Sequence, residues 1–133
     1  VLAMDELLSI HEATTEVIRS RLHIEDGWFY NAWVIPGGVA LALVAVTFVR
    51  FLVRLPARTR TLFLIAGAVY VSGAVALEMA GGAYASTLGT DLAYGVLATV
   101  EEMLEMAGIV VMLYALMDHL ERHAPQTLLC IVD

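Results

Sequence analysis

Lysine is absent from this 133-residue sequence, so all seven basic residues are arginine, against fourteen acids. A net charge of −7 leaves no basic face for phosphates, and we predict no nucleic-acid partner. Cys130 is the only cysteine, which excludes an intramolecular disulfide and a site built from several thiolates of one chain. Cysteine usage therefore leaves the redox compartment open.

A recognisable signal peptide is also missing, because no basic flank followed by an apolar segment stands at the start. The sequence begins at Val1 instead of an initiator Met, and we expect residues upstream. The first helical stretch, 1–22, turns polar after about Thr14, as a membrane helix does where it enters water. The alternative is an amphipathic helix lying on the bilayer, but its polar face carries more acids than bases, so we favour a truncated spanning helix.

Apolar residues are abundant instead, at 60% of the chain with a mean hydropathy of +0.81. Crossing a bilayer takes roughly 20 mostly apolar residues, and the runs 33–49, 61–79 and 92–117 approach that length. We therefore predict one all-α domain over 1–133, an antiparallel integral membrane bundle of four helices. The predicted helices cover about 1–22, 33–55, 60–80 and 91–123, joined by short loops that include 81–91.

Charge and aromatic residues predict how this bundle lies in the membrane. Four arginines gather around the second turn, from Arg50 to Arg60, and the positive-inside rule makes that turn cytoplasmic in a bacterial inner membrane. Arg19 and Arg21 fall on the other side and oppose this orientation. The aromatics near the start of the second helix are expected to anchor it at the interface, namely Trp28, Tyr30 and Trp33.

Acidic residues interrupt the oily helices, most clearly in "VEEMLEM", residues 100–106. At 1.5 Å per residue, Glu78 should lie about 8 Å below the outer interface, and Glu101 and Glu105 roughly 13 to 20 Å below it. Glu12 falls at about 8 Å and Asp5 at about 18 Å on the first helix. Acids from three helices are therefore predicted to converge on one layer near the non-cytoplasmic side.

A charged carboxylate facing lipid costs about 2.5 to 3.5 kcal/mol on insertion scales. The only nearby candidate base is His11, so internal salt bridges cannot neutralise the cluster. Protonation, a bound cation or a water-filled cavity remain, and each implies a site. We predict a metal-binding or proton-relaying site that takes iron, manganese, zinc or calcium if a metal is bound. Its residues are Glu12, Glu78, Glu101, Glu105, Asp5 and His11.

The metal interpretation shares its architecture with the bundles that hold two iron or manganese ions between carboxylates. The sequence departs from their Glu-x-x-His pattern, since His11 directly precedes Glu12 and Glu102-x-x-Glu105 contains no histidine. A hard cation held by oxygen ligands therefore fits as well as iron. His119 and His123, spaced i, i+4, form a second and weaker candidate metal face.

A non-catalytic role is the alternative to such a site. The acids could instead meet basic residues or a pigment ligand of a partner, making the chain an accessory or assembly subunit of a respiratory or photosynthetic membrane complex. His11 could then be an ordinary buried histidine or a ligand to haem or chlorophyll. Partners under these hypotheses are the lipid bilayer, a second copy of the chain or a larger complex. The direction in which the acids point distinguishes an internal site from a contact with another subunit.

Overall fold

The computed structural model describes residues 10–123, which form four helices and contain no strand in that range. The helices are α1 (Ile10–Leu22), α2 (Val34–Leu52), α3 (Ala57–Leu88) and α4 (Leu92–His123). The prediction of an all-α chain is confirmed for this part of the molecule. The side chains of residues 10–12 and 123 lie outside the description.

Local backbone features set the ends of the helices. The segment between α1 and α2 begins at His23, whose φ of 53° is left-handed. Pro56 is the residue before α3, where its fixed φ and missing N–H cost nothing. Asp91 caps α4, because its Oδ1 accepts hydrogen bonds from the N–H groups of Ala93 and Tyr94, both at 3.0 Å. Hydrogen bonds from the Tyr94 N–H and the Tyr84 hydroxyl hold the pKa of Asp91 below its ordinary value.

The third helix differs most from its prediction. We expected it to cover about 60–80 and to be followed by a loop over 81–91, but it runs from Ala57 to Leu88 and the loop is only three residues long. Gly81 and Gly82 are buried within the helix, where they face Tyr94 and Asn31. Their small size serves close packing and not a turn. The helix ends at Gly89, whose φ of 83° favours glycine.

The middle of α3 contains a π-helical segment, Ser72–Leu77, between the α-helical parts Ala57–Val71 and Glu78–Leu88. A π segment widens one turn by one residue, and such turns occur often at functional sites. In this chain Glu78 is the first residue after the π segment.

α3 and α4 form the closest helix pair, and they run antiparallel. Small residues allow this approach, since a Cβ added at Gly108 would lie 2.7 to 2.9 Å from Tyr70 atoms that include backbone N and Cα. α2 makes no comparably close backbone contact with α3 or α4 in the described range. From one end to the other, facing residues of the pair are Gly81 and Tyr94, Gly73 and Glu101, Tyr70 and Gly108, and Thr59 and His119.

Two helices, α2 and α3, are long and apolar enough to cross a membrane. α4 is as long as α3, but Glu101, Glu102 and Glu105 interrupt its apolar sequence. Large apolar side chains cover the outside of the molecule, and Val46 is 73% and Met117 67% exposed. Such a surface suits a hydrocarbon surrounding, where outward apolar side chains meet lipid and every helix satisfies its own backbone.

Candidate functional site

Glu78 is held by two residues that come just before α2. The indole N–H of Trp33 donates a hydrogen bond to its Oε1 at 2.9 Å, and the Asn31 amide donates to its backbone carbonyl at 3.4 Å. Gly37 gives the indole room, because a Cβ there would lie 2.9 Å from a ring carbon of Trp33. The glutamate is therefore fixed between two helices.

The carboxyl group of Glu101 on α4 lies beside that of Glu78. Both residues are half-buried. Glu105 follows one turn later on α4 and is also half-buried, beside Tyr70, whereas Glu102 is exposed. The structure thus brings Glu78 and Glu101 together, places Glu105 close by, and turns Glu102 away.

A hydrogen bond between two carboxyl groups needs a proton, because ionised carboxylates only accept. Two carboxyl groups that share such a hydrogen bond hold one proton between them. Trp33 donates a hydrogen bond to Glu78, which fixes the orientation of that carboxyl group in the pair. This arrangement can accept, hold and release a single proton.

Gly73, in the π segment, sets the distance between α3 and the acidic turn of α4. A Cβ added there would lie 2.8 Å from the carbonyl oxygen of Glu101 and 3.2 Å from Cγ of Glu105. The first contact involves backbone and cannot be relieved by rotating a side chain. Any larger residue at this position must push α4 away at the carboxyl pair.

We expect Gly73→Ala to separate Glu78 from Glu101. The carbonyl-stretch infrared band of a protonated carboxyl should then shift or disappear, with a loss of stability of about 1 to 3 kcal/mol from overpacking. Gly95→Ala on α4 is the control, since a Cβ there meets nothing within 4 Å. An unchanged infrared band in Gly73→Ala would show that this contact does not position the pair.

Aromatic and polar residues from the α1–α2 segment close the end of the bundle near the pair. Tyr94 lies within electrostatic reach of Glu78, Glu101 and Tyr30. The guanidinium of Arg19 stacks over the ring of Tyr30 at 4.0 Å. Two hydrogen bonds tie this segment to its neighbours, from the Trp33 N–H to the Thr15 hydroxyl at 3.3 Å and from the Gly27 N–H to the Ser86 hydroxyl at 3.2 Å.

A second polar cluster lies at the opposite end of the α3–α4 pair. Asp118 is buried, and its Oδ2 accepts from Nε of Arg58 and of Arg122, each at 3.1 Å. Burial raises the pKa of Asp118, but the two guanidinium groups outweigh it and hold that pKa below its ordinary value. Nδ1 of His119 lies 3.3 Å from the Thr59 hydroxyl. At this end, α3 and α4 are therefore held together by ion pairs as well as by packing.

The remaining predicted site residues fall outside the description. Asp5 lies outside the described residues, and the side chains of His11, Glu12 and His123 are likewise not described. Among the described residues, no group of three or more His, Cys, Asp or Glu side chains is placed to hold a metal ion. The metal site on the acids and the second one at His119 and His123 both stay predictions.

Sequence reasoning assigned Trp33 to the interfacial belt and overlooked Asn31 and Tyr94. Trp28 is 60% exposed, whereas Tyr30 and Trp33 are half-buried and Trp33 binds Glu78. The signal that could have found Asn31 and the role of Trp33 is the run of aromatic and amide side chains in "WFYNAW", immediately before a helix whose neighbours carry half-buried acids. Trp and Tyr bury an apolar body but need a partner for the polar tip.

Comparison with known proteins identifies one family. The domain of unknown function DUF8692 matches residues 1–120, which is most of the chain. The chain belongs to this family. The matched region contains the carboxyl pair, its Trp33 partner, and Asp118 with Arg58, whereas Arg122 lies outside it. No curated protein and no solved structure matches the chain.

Proposed function

We propose that the protein is an integral membrane bundle in which the Glu78–Glu101 carboxyl pair relays a proton. The observation that carries the proposal is the close approach of these two half-buried carboxyl groups from facing helices. Carboxyl groups inside membrane proteins are costly, and they commonly mark proton or ion pathways. The apolar exterior and the two helices long enough to span support the membrane location.

The proposed relay uses residues at successive heights along α4. A proton enters from the end near Tyr30, Trp33 and Tyr94, and joins the pair, which then holds it as a neutral carboxyl beside a carboxylate. Transfer to Glu105 moves it about 6 Å further along the helix, since the two residues are four apart. Uptake of the proton lowers the negative charge of the pair by one. In the transfer to Glu105 the donor becomes a carboxylate and the acceptor a carboxylic acid, and release of the proton from Glu105 restores the starting charge.

Proton flux in sealed vesicles tests this relay. The purified protein is reconstituted with a pH-sensitive dye inside, and flux is driven by a potassium diffusion potential. We expect Glu101→Gln to lower the flux at least about ten-fold, because an amide cannot take up the proton in its place. Glu102→Gln is the matched control, since it makes the same change one residue away on the exposed face.

Equal flux in the wild type, Glu101→Gln and empty vesicles would overturn the relay. Metal content of the same samples, measured by mass spectrometry, tests the divalent-metal hypothesis separately. Stoichiometric iron, manganese, zinc or calcium that is lost in a Glu78→Gln and Glu105→Gln double variant would favour a metal site over the relay.

The exposed position of Glu102 favours a second candidate function. A carboxylate that points out from the middle of an apolar helix is stabilised by a basic residue of another subunit, as an accessory or assembly subunit requires. In that case Glu102→Gln, and not Glu101→Gln, should lose proteins that co-purify with the wild type. The two variants therefore distinguish an internal proton site from an assembly contact.

A further inference from the structure

An apolar cleft separates α2 from the closely packed α3–α4 pair. Its volume is about 460 Å³, and it is lined by one stripe of α2 from Leu41 to Leu52 and by facing residues of α3 and α4. The lining is apolar except for Tyr70. A volume of this size is in the range of small-molecule sites.

The length of the cleft matches one leaflet of a bilayer. Leu41 and Leu52 are eleven residues apart on α2, so the lined stretch measures about 16 Å at 1.5 Å per residue. Half of a hydrocarbon layer of about 30 Å has the same extent. An extended acyl chain that enters at the Leu52 end therefore reaches the bilayer midplane at Leu41.

Positive charge gathers at the Leu52 end of the cleft. Four of the seven basic residues of the chain stand within eleven positions there, on the last turn of α2, in the following turn and at the start of α3. Arg58 is paired with Asp118, whereas Arg50, Arg54 and Arg60 form no ion pair with any residue in the range 10–123. Unpaired guanidinium groups at a membrane surface attract the phosphate of an anionic lipid.

We infer that this cleft binds one anionic phospholipid, with an acyl chain between α2 and the α3–α4 pair and its phosphate at Arg54 and Arg60. Arg60 lies on the same stripe of α3 as Phe63 and Gly67, which line the cleft, whereas Arg50 lies on the opposite face of α2. The chain is strongly acidic as a whole, so the arginine end is the place where its charge is complementary to such a headgroup. This inference rests on the proposed membrane location and is independent of the carboxyl pair.

Native mass spectrometry of the detergent-purified protein, with added phosphatidylglycerol or phosphatidylcholine, tests the site. We expect the wild type to retain phosphatidylglycerol about ten-fold or more above phosphatidylcholine, as two guanidinium contacts to an anionic headgroup imply. The double variant Arg54→Gln and Arg60→Gln should lose this preference. Arg21→Gln is the matched control, because it removes an exposed arginine from the other end of the molecule.

Filling the cleft gives a second, independent variant. Gly67 lines the cleft, and a Cβ added there meets nothing within 4 Å. Gly67→Leu should therefore occupy the space of the acyl chain and lower retention of phosphatidylglycerol. Gly95→Leu makes the same change at an open helical position outside the cleft and should leave retention unchanged.

Three outcomes would overturn the lipid site: equal retention of both lipids, retention unaffected by Gly67→Leu, or a lipid-free dimer in which a second copy fills the cleft. Extraction from membranes tests the proposed location separately. Protein that needs detergent for extraction but shows no headgroup preference contradicts only the lipid site. Protein released without detergent contradicts the membrane location itself.

Discussion

Gly108→Ala is expected to disrupt the packing of α3 against α4. An added Cβ would lie 2.7 Å from Cβ of Tyr70, 2.8 Å from its backbone N and 2.9 Å from its Cα. No rotamer change can relieve a collision with backbone, so the helices must separate over this contact. Overpacking typically costs about 1 to 3 kcal/mol, and we expect the upper part of that range here. Thermal unfolding in detergent, followed by circular dichroism, measures the loss.

Gly67→Ala provides the comparison on α3. Gly67 lies one turn before Tyr70, is helical, and would place its Cβ in open space. Replacing glycine by alanine in a helix stabilises it by roughly 0.5 to 1 kcal/mol when nothing collides. The two variants should therefore change the unfolding midpoint in opposite directions. A Gly108→Ala protein as stable as Gly67→Ala would show that the helices do not approach as closely as described.

Asp118→Asn is expected to loosen the other end of the same helix pair. Asp118 is 7% exposed and accepts hydrogen bonds from both Arg58 and Arg122. An asparagine of similar size keeps one acceptor oxygen but leaves two guanidinium groups without the carboxylate that joins them. We expect the unfolding midpoint at neutral pH to fall by several degrees. Glu121→Gln on an exposed position nearby should change it little.

The pH dependence identifies the cause of that loss. The pKa of Asp118 is lower in the folded protein than in an unfolded chain, so its contribution is complete above the unfolded pKa and disappears as the pH falls through the folded one. Below about pH 4, the reference range for an aspartate, the difference between wild type and Asp118→Asn should therefore narrow. A difference that stays constant into acid would mean that the effect comes from packing and not from charge.

Much of the helical architecture follows from local sequence. Apolar runs predicted α2 and α4 to within a few residues, because length and hydropathy suffice to place a long helix. The end of α3 was not predictable in the same way, since Gly81 and Gly82 look like loop residues until their packing against Asn31 and Tyr94 is known. Glycine signals both turns and close helix contacts, and only tertiary structure decides between them.

The candidate site was partly predictable for a related reason. Counting residues from the helix ends put Glu78 and the acids of α4 near one end of the bundle, and the structure places Glu78 against Glu101. Depth, however, does not determine which face of a helix a residue occupies. The hydrogen bond from Trp33 to Glu78 and the position of the π segment depend on how α2, α3 and α4 pack together. No local sequence pattern predicts that packing.

The wide turn at Ser72–Leu77 has a geometric consequence for the whole of α3. Thr59 and Glu78 both face α4, where they meet His119 and Glu101, yet they are nineteen residues apart. In a uniform α-helix nineteen residues of 100° each would leave Glu78 about 100° out of phase with Thr59. One additional residue in a π turn absorbs about that angle. The additional residue therefore turns Glu78 back toward α4. Inserting or deleting one residue in α3 would separate the carboxyl pair even if every side chain of the site were kept.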